Sequence, residues 1–521
     1  MRERRNPGRA PVGAVEATRG ARATRRYTLT AEGIIEETSM EELITGRQLI
    51  DGELVESETG AWAESINPAT EEVIGRAPAG SGRDVARAVD AAQRAWPAWA
   101  ERTGEERGEL LRVFGERLLE RAEELSRIEV LDSGNTYAPT LASMHETVRS
   151  LRYYAGLVHG LHGETIPATG RHLHMTVYEP YGVVGRIAAF NHPAMFSAAR
   201  TASALVTGNT VVVKPPETSP LSVLVLGEVA RDTLPPGVFN IVNGTGAEVG
   251  DALVRHPDVK RLALIGSVPT GRAIQRSAAE VGVKHVTLEL GGKNPMIVFP
   301  DADPDAAAES AVRGMNFAWQ GQSCGSNSRL LVHDALYDEV LARVVERVAA
   351  IRVGDPMAPD TGMGPINSHK SYEHVMSFLD PVQTRGARLM TGGRRPPGLA
   401  FEKGFWVEPT VYADVTPMMR LWREEVFGPI LSVARWRDVD EAVAMANDTE
   451  YGLSAAIWTN DIRQALNTAR RIRAGSVFVN GSNTHFLGVP WGGFKNSGVD
   501  REEGIEEMYS YVEKKVINVM L

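Results

Sequence analysis

The single cysteine of this 521-residue chain, Cys324, is the first candidate for chemistry. It stands in Gly321-Gln-Ser-Cys-Gly-Ser326, a run of small residues between a predicted helix and a predicted strand. Such a loop leaves the sulfur accessible and brings backbone N–H groups close to it, which favours a thiolate and later an oxyanion. The alternative is an inert cysteine that behaves as a small buried hydrophobic residue.

A second candidate, Glu289, ends an apolar run and precedes two glycines in Leu288-Glu-Leu-Gly-Gly-Lys-Asn-Pro295. Burial at this strand end would raise its pKa and make the carboxylate a general base. The alternative is a structural carboxylate in an ion pair, for which the adjacent Lys293 is the obvious partner. This segment alone leaves both interpretations open.

The third candidate, Asn191, follows a predicted apolar strand at 183–189 and precedes His192-Pro193. An asparagine at the carboxyl end of a strand, held by a following X-Pro bond, can aim its amide at a substrate oxygen. Taken alone, the same residue is more often part of a turn.

Three further strand ends could contact a dinucleotide, although each is also an ordinary tight turn. Lys214-Pro-Pro-Glu217 carries charges that could bind ribose hydroxyls. Gly244-Thr-Gly-Ala-Glu-Val-Gly250 has one residue too many for the dinucleotide fingerprint. Gly266-Ser-Val-Pro-Thr-Gly271 opens a predicted helix whose N-terminus could meet a pyrophosphate.

The elements that must position these residues alternate between strand-like and amphipathic segments. Between 181 and 290, the alternation predicts a parallel sheet covered by helices, the architecture used for dinucleotides. The predicted strands there are 183–189, 210–214, 238–242, 261–265 and 285–290, and the predicted helices are 221–232, 247–255 and 270–280. Helices are also predicted at 83–96 and 103–127.

A second α/β stretch follows, and the chain ends in a segment, 509–520, that could add an edge strand to a neighbouring subunit. Its predicted strands are 296–299, 329–332, 431–434 and 476–480, and its predicted helices are 302–319, 438–446 and 462–472.

The composition is that of a globular protein, with 43% hydrophobic and 23% charged residues. A net charge of -10 gives no broad basic surface, so nucleic acid is not an expected partner. No apolar run is long enough to cross a membrane. The lone cysteine excludes an internal disulfide and fits a reducing cytoplasm. The twelve histidines are scattered, so no metal site is expected.

The first 26 residues differ from the rest, since they hold eight arginines and two glutamates. Residues 1–47 are expected to form a disordered extension. The alternatives are a misassigned gene start, with Met40 as the true start, and an import signal.

Taken in order, these segments resemble the aldehyde dehydrogenase superfamily of the NAD(P)-dependent, non-acylating type, from about residue 48 to the C-terminus. The matching segments also include Pro180-Tyr-Gly-Val-Val-Gly185, Gly208-Asn-Thr-Val-Val-Val-Lys214, Glu424-Glu-Val-Phe-Gly-Pro429 and Pro490-Trp-Gly-Gly-Phe-Lys-Asn-Ser-Gly498. The resemblance implies an α/β fold with an NAD-binding domain (48–157 and 181–291), a catalytic domain (292–492) and a small β bridging segment (158–180 and 493–521). Such bridging segments usually form homodimers or homotetramers.

The resemblance also assigns roles. It implies that Cys324 is the nucleophile that forms a thioester, that Glu289 activates the hydrolytic water, and that Asn191 donates to the oxyanion with the backbone N–H of Cys324. The implied NAD-binding residues are Lys214, Glu217, Gly246, Gly250, Ser267, Glu425 and Phe427. The implied lining of the substrate tunnel is His192, Met195, Asn483, His485 and Trp491.

Particular residues refine this expectation. Glu217 would repel a 2′-phosphate, which favours NAD over NADP. Two histidines and an asparagine in the tunnel favour a polar or hydroxylated aldehyde. Arg200 stands where the family commonly has a proton-relay lysine, and because arginine does not readily lose a proton, Glu502 is expected to be its salt-bridge partner.

Two rival functions are a CoA-acylating semialdehyde dehydrogenase and a catalytically idle protein that keeps the fold. Glu289 argues against the first, because a thiol acceptor does not need that base. The joint presence of Cys324, Glu289 and Asn191 argues against the second.

Overall fold

The strands of this computed structural model, which describes residues 43–382 and 384–521, form four sheets. The strands are β1 Ile44–Thr45, β2 Gln48–Ile50, β3 Glu53–Val55, β4 Trp62–Ile66, β5 Val73–Pro78, β6 Thr165–Ile166, β7 His172–Pro180, β8 Val183–Ile187, β9 Thr210–Lys214, β10 Phe239–Ile241, β11 Val259–Ile265, β12 His285–Glu289, β13 Pro295–Val298, β14 Arg329–His333, β15 Arg388–Thr391, β16 Thr410–Ala413, β17 Ile430–Trp436, β18 Ser454–Trp458, β19 Ser476–Val479, β20 Gly498–Val499 and β21 Val512–Met520.

Helices cover these sheets. They are α1 Gly82–Glu101, α2 Gly104–Glu120, α3 Ala122–Ser133, α4 Tyr137–Gly156, α5 Pro193–Ala198, α6 Ala202–Val206, α7 Leu221–Thr233, α8 Asp251–Arg255, α9 Val268–Val281, α10 Pro304–Gly314, α11 Tyr337–Ala349, α12 His369–Ser377, α13 Arg420–Arg423, α14 Val439–Asn447, α15 Ile462–Ala469 and α16 Ile505–Tyr509.

The first large sheet has the order β20-β12-β11-β8-β9-β10-β2-β3. Its five central strands, from β12 to β10, are mutually parallel. They bury both faces, which explains why β9 is a run of three valines rather than an alternating pattern. Because parallel strands end at the same edge, the segments after β8, β9, β10, β11 and β12 meet there. The predicted parallel sheet is confirmed.

The second large sheet has the order β15-β16-β17-β14-β13-β18-β19, and all its pairs are parallel except β15 with β16. β13 and β14 lie side by side at its centre and are almost completely buried. The loop that carries Cys324 leads directly into β14, so the second sheet fixes the carboxyl end of this loop.

A small antiparallel sheet of order β21-β7-β6 stands apart from the two large ones. β21 pairs with β7 over nine residues, from Val512 to Met520. Eight of the nine β21 residues are exposed. A strand is therefore present within the predicted segment 509–520, where it pairs with β7 of the same chain. β20, which also lies in the predicted bridging segment 493–521, instead joins the first large sheet beside β12.

Three helix predictions need correction. The predicted helix 103–127 is two helices, because the backbone leaves helical geometry at Arg121, which lets both apolar faces reach the core. The predicted helix 247–255 begins with a π-turn at Gly246–Gly250. The predicted helix 302–319 ends at Gly314, since Asn316 and Gln320 adopt left-handed conformations.

The prediction of a disordered extension through residue 47 is wrong for its last residues, because β1 pairs in parallel with β5. The rest of that extension, 1–42, lies outside the described residues. Within the described ranges, no helix is long and apolar enough to span a membrane. The same part of the chain contains no cluster of three or more His, Cys, Asp or Glu side chains suited to a metal ion.

Candidate active site

Cys324 lies in a loop that a short 3-10 turn, Phe317–Trp319, brings back toward the first sheet. Gly321 has φ +68°, and a Cβ there would lie 2.3 Å from the carbonyl oxygen of Gly428, so only glycine fits this bend. Asn294, which precedes β13, donates from Nδ2 to the carbonyl oxygen of Cys324 at 2.8 Å. The nucleophile loop is therefore fixed on both sides by the second sheet.

Glu289, the last residue of β12, is buried and forms a hydrogen bond with the Cys324 side chain. The indole Nε1 of Trp491 donates to its Oε1 at 3.4 Å. Burial, reinforced by the charge of Glu502, raises the pKa of Glu289 to about 8. A carboxylate with such a pKa is a competent base near neutral pH.

The protonation of Cys324 differs from the sequence-based expectation of a stabilised thiolate. Burial, together with the charge and hydrogen bond of Glu289, raises the pKa of the Cys324 thiol well above its ordinary range. The backbone N–H of Gly325 lowers that pKa but does not outweigh the other causes. The resting site therefore holds a thiol beside a base rather than a preformed thiolate.

Asn191 follows β8 and is buried at the same edge of the sheet. Its backbone carbonyl accepts a hydrogen bond from Nδ2 of Asn135 at 2.9 Å. The next helix is held by Glu129, whose Oε2 accepts from the backbone N–H of Ala194 at 3.1 Å. These contacts fix the backbone of Asn191, and its side chain shares one cavity with Cys324 and Glu289.

A buried charged cluster lies behind Glu289. Glu502 pairs with Arg186 at 2.6 Å and with Arg200 at 3.6 Å. Arg200 also forms an ion pair with Glu503. Burial lowers the pKa of Arg200, but Glu503 and Glu502 outweigh it and raise that pKa above its ordinary value. Arg200 and Glu502 are thus paired, and the arginine keeps its proton.

Five of the seven cofactor residues proposed from the sequence lie at or after three parallel strands of the first sheet, β9, β10 and β11. Lys214 ends β9, and its Nζ donates to the carbonyl oxygen of Pro215 at 2.8 Å, while burial lowers its pKa to about 8. Glu217 is exposed and accepts a hydrogen bond from the backbone N–H of Gly246. Gly250 ends the π-turn after β10, and Ser267 caps the N-terminus of α9 after β11.

Glu425 and Phe427 reach this region from the second sheet. Oε1 of Glu425 accepts from the backbone N–H of Gly292 at 2.7 Å, and burial raises its pKa to about 7. A Cβ on Gly291 would lie 2.0 Å from Oε2 of Glu425, so the glycine permits this approach. The ring of Phe427 meets Phe190 edge-on at 5.6 Å.

A cavity of about 370 Å³ leads to Cys324. Its walls include all five residues expected in the substrate tunnel: His192, Met195, Asn483, His485 and Trp491. Burial lowers the pKa of His192 to about 3, so this ring is neutral. The ring of His485 lies 4.2 Å from that of Trp491.

The sequence interpretation missed Asn135, Asn294, Trp319 and Glu503, which support or line this site. No local signal marks Asn135, because its partner Asn191 is 56 positions away. No local signal marks Glu503 either, because a carboxylate between two others, Glu502 and Glu506, resembles a surface residue until the fold buries it.

The chain is similar to known proteins over almost its whole length. The sequence model of the aldehyde dehydrogenase family matches residues 54–517. Aldehyde dehydrogenase tropH of Talaromyces stipitatus is 45% identical over 478 residues, which cover 90% of this chain and 92% of that protein. Hydroxyisobutyraldehyde dehydrogenase of Mycolicibacterium austroafricanum is 41% identical, over 91% of this chain and 93% of that protein.

Solved structures give the same result. Betaine aldehyde dehydrogenase from Staphylococcus aureus, in complex with NAD+, superposes with a TM-score of 0.89 at 36% identity. The match covers 92% of this chain and 95% of that one.

Proposed function

The chain belongs to the aldehyde dehydrogenase family, and from this premise we propose that it oxidises an aldehyde to a carboxylic acid with NAD, through a thioester on Cys324. The observation that carries the proposal is the meeting of Cys324, Glu289 and Asn191 in one cavity. A nucleophile, a base and an amide donor within reach of one substrate carbon are the parts that acyl transfer requires.

The first step is activation of the thiol. Glu289 takes the proton from Sγ of Cys324, and the sulfur forms a bond to the aldehyde carbon while the carbonyl electrons move to oxygen. The side-chain amide of Asn191 and the backbone N–H of Cys324 then donate to the oxyanion. A well-placed donor of this kind contributes about 3–4 kcal/mol of transition-state stabilisation.

The residues at the edge of the first sheet fit a dinucleotide. Lys214 and Glu217 would hold the adenosine ribose, the N-terminus of α9 at Ser267 would face the pyrophosphate, and Glu425 and Phe427 would hold the nicotinamide ribose and ring. Gly246 is exposed beside Glu217, whereas Gly250 is buried at the end of the π-turn, so Gly246 is the glycine that a ligand could approach there. Bound NAD supplies the acceptor for the hydride that leaves the substrate carbon.

The second half of the reaction is hydrolysis of the thioester. Glu289, once it has released its first proton to solvent, takes a proton from a water that attacks the thioester carbon. The carbon–sulfur bond then breaks, and Sγ of Cys324 takes that proton from Glu289 as it leaves, which restores the thiol and the carboxylate. Arg200 does not relay this proton, because it stays charged between Glu502 and Glu503. The open cavity gives Glu289 a route to bulk water instead.

The tunnel favours a polar aldehyde. His192, Asn483 and His485 bring nitrogen and oxygen atoms to its wall, beside the apolar Met195 and Trp491. The relative named hydroxyisobutyraldehyde dehydrogenase is consistent with a hydroxylated substrate. Activity can be measured with a panel of aldehydes. A preference of the enzyme for aldehydes with long alkyl chains would contradict this part of the proposal.

Assembly and domain division are also proposed. We expect the NAD-binding domain at 48–157 and 181–291, the catalytic domain at 292–492 and the bridging segment at 158–180 and 493–521. We expect the exposed strand β21 to make a homodimer or homotetramer. The reducing cytoplasm suits an enzyme whose nucleophile is a free thiol.

The experiment is an NADH absorbance assay with propanal, with and without CoA, on the wild type and on Cys324→Ala. The wild type should form NADH without CoA, and the variant should form none while it still binds NAD in calorimetry. Strict dependence on CoA would favour the acylating alternative. Full activity of the variant would exclude the thioester.

A further inference from the structure

We propose that His485 and Glu503 form a dyad in which Nε2 of His485 makes a hydrogen bond with a hydroxyl group of the aldehyde substrate. The inference rests on the proposed function, since it requires an aldehyde bound in the tunnel with its carbonyl carbon at Cys324. It goes beyond the polar character of the tunnel, because it names the atom that recognises the hydroxyl group and the residue that orients this atom.

The direction of the hydrogen bond between His485 and Glu503 is defined. Nδ1 of His485 lies 2.7 Å from Oε1 of Glu503. An ionised carboxylate only accepts, so Nδ1 carries the hydrogen that it donates to Glu503, and Nε2 is the ring atom left for a ligand. Among the described residues, Nε2 of His485 has no hydrogen-bond partner, and the ring lines the cavity that leads to Cys324.

Glu503 is held ionised although only 5% of its side chain is exposed. Burial would raise the pKa of Glu503, but Arg200 and His485 outweigh it and hold that pKa at about 2. The charge of Arg200 is shared with Glu502 as well, so the dyad is anchored in the buried cluster behind the general base.

The backbone at Glu503, whose carboxylate contacts His485, is unusual. Its φ of +71° is a left-handed conformation, which is strained for a non-glycine residue. The backbone N–H of Glu503 donates to Oε2 of Glu507 at 2.7 Å, which holds this conformation. Such strain persists when the surrounding structure fixes it, as it does here.

The surroundings of His485 suit an aldehyde that carries a hydroxyl group better than an aldehyde with an alkyl group. The ring packs on Trp491 at 4.2 Å, which fixes its plane. Oδ1 of Asn483 lies buried at the same wall and has no hydrogen-bond partner within the described part of the chain. An alkyl aldehyde would remove water from Nε2 of His485 and Oδ1 of Asn483 and leave them unpaired, whereas a hydroxyl group, which can donate and accept, would pair with one of them.

The test compares aldehydes in which a hydroxyl group replaces a methyl group: glycolaldehyde with propanal, and 3-hydroxypropanal with butanal. The readout is the ratio of kcat/KM for the hydroxylated member to kcat/KM for the alkyl member. In His485→Phe, which keeps a ring against Trp491, the ratio for at least one pair should fall about fivefold or more. Glu503→Gln should lower the same ratio.

The matched control is His159→Phe, which removes an exposed histidine that also faces a glutamate, Glu105, at 3.3 Å. It should leave the ratio at the wild-type value. The dyad would be overturned if the ratios in His485→Phe stayed within about twofold of the wild-type ratios for both pairs. It would also be overturned if the ratio fell equally in His159→Phe. These outcomes differ from failure of the proposed function, in which the wild type would oxidise none of the four aldehydes with NAD.

Discussion

At the scale of single residues, the site is defined by two acidic groups that share one environment. The thiol of Cys324 and the carboxylate of Glu289 both have raised pKa values, because both are buried. The charge of Glu289 raises the pKa of Cys324 further, and the charge of Glu502 raises that of Glu289. In the proposed mechanism, thiolate formation therefore depends on Glu289 as the proton acceptor, and one carboxylate would serve both halves of the reaction in turn.

The pH dependence of kcat/KM follows from this arrangement. Glu289 acts as a base, so its deprotonated form is required, and the pKa of about 8 predicts that activity rises with pH and levels off above about pH 8. Below that pH, the rate should fall about tenfold per unit. A profile of kcat/KM for propanal between pH 6 and 10 checks this, and a flat profile through pH 8 would contradict it.

We propose that one residue, Glu217, also sets the choice of cofactor. An exposed carboxylate at Glu217 should repel a 2′-phosphate, so kcat/KM with NAD should exceed that with NADP by about tenfold or more. Glu217→Gln should narrow the difference. The control is Glu248→Gln, which removes a carboxylate from the nearby π-turn and should leave the difference between kcat/KM with NAD and kcat/KM with NADP unchanged. Equal use of NADP by the wild type would refute the role of Glu217.

At the scale of elements, the parallel strands of the first sheet bring distant segments together. Asn191, Lys214, Ser267 and Glu289 are far apart in sequence but each follows or ends a neighbouring strand at one edge. The second sheet supplies Cys324 through the loop before β14. Catalysis therefore requires the bend in this loop as much as the residues themselves.

That bend gives a testable prediction. Gly321→Ala places a Cβ 2.3 Å from the carbonyl oxygen of Gly428 at a positive φ, so the loop must shift. A shift of about 1 Å at the nucleophile costs about a hundredfold in rate, and kcat should fall accordingly while NAD binding persists. Gly156→Ala, where nothing lies within 4 Å of the new Cβ, should keep wild-type kcat. Unchanged kcat in Gly321→Ala would mean that the bend is not required.

Much of this framework could be predicted from the sequence. Buried parallel strands such as β9 are bounded by turn residues, so their limits are visible as continuous apolar runs. The end of α10 could not be predicted, because Asn316 and Gln320 adopt left-handed conformations without a glycine to mark them. The pairing of Glu503 with His485 and Arg200 could not be predicted either, since it depends on tertiary contacts across up to 303 positions.

At the scale of the whole molecule, the exposed strand β21 is the most conspicuous open feature. It has apolar side chains such as Val516, 53% exposed, and Met520, 70% exposed, on an edge with unpaired backbone groups. We expect a second copy of the chain to cover it. Val516→Asp should shift the molar mass measured by light scattering toward the monomer, whereas Val283→Asp, on an exposed loop, should not. An unchanged mass for Val516→Asp would place the interface elsewhere.

The central claim is that Cys324 carries the acyl group and Glu289 releases it. The most direct measurement is intact-protein mass spectrometry of Glu289→Gln mixed with propanal and NAD, with NADH absorbance followed in parallel. The account predicts a propanoyl adduct on Cys324, about one NADH per active site and no further turnover. The loss of the base should also slow this first burst. Steady turnover without an adduct, or an adduct on any other residue, would contradict it.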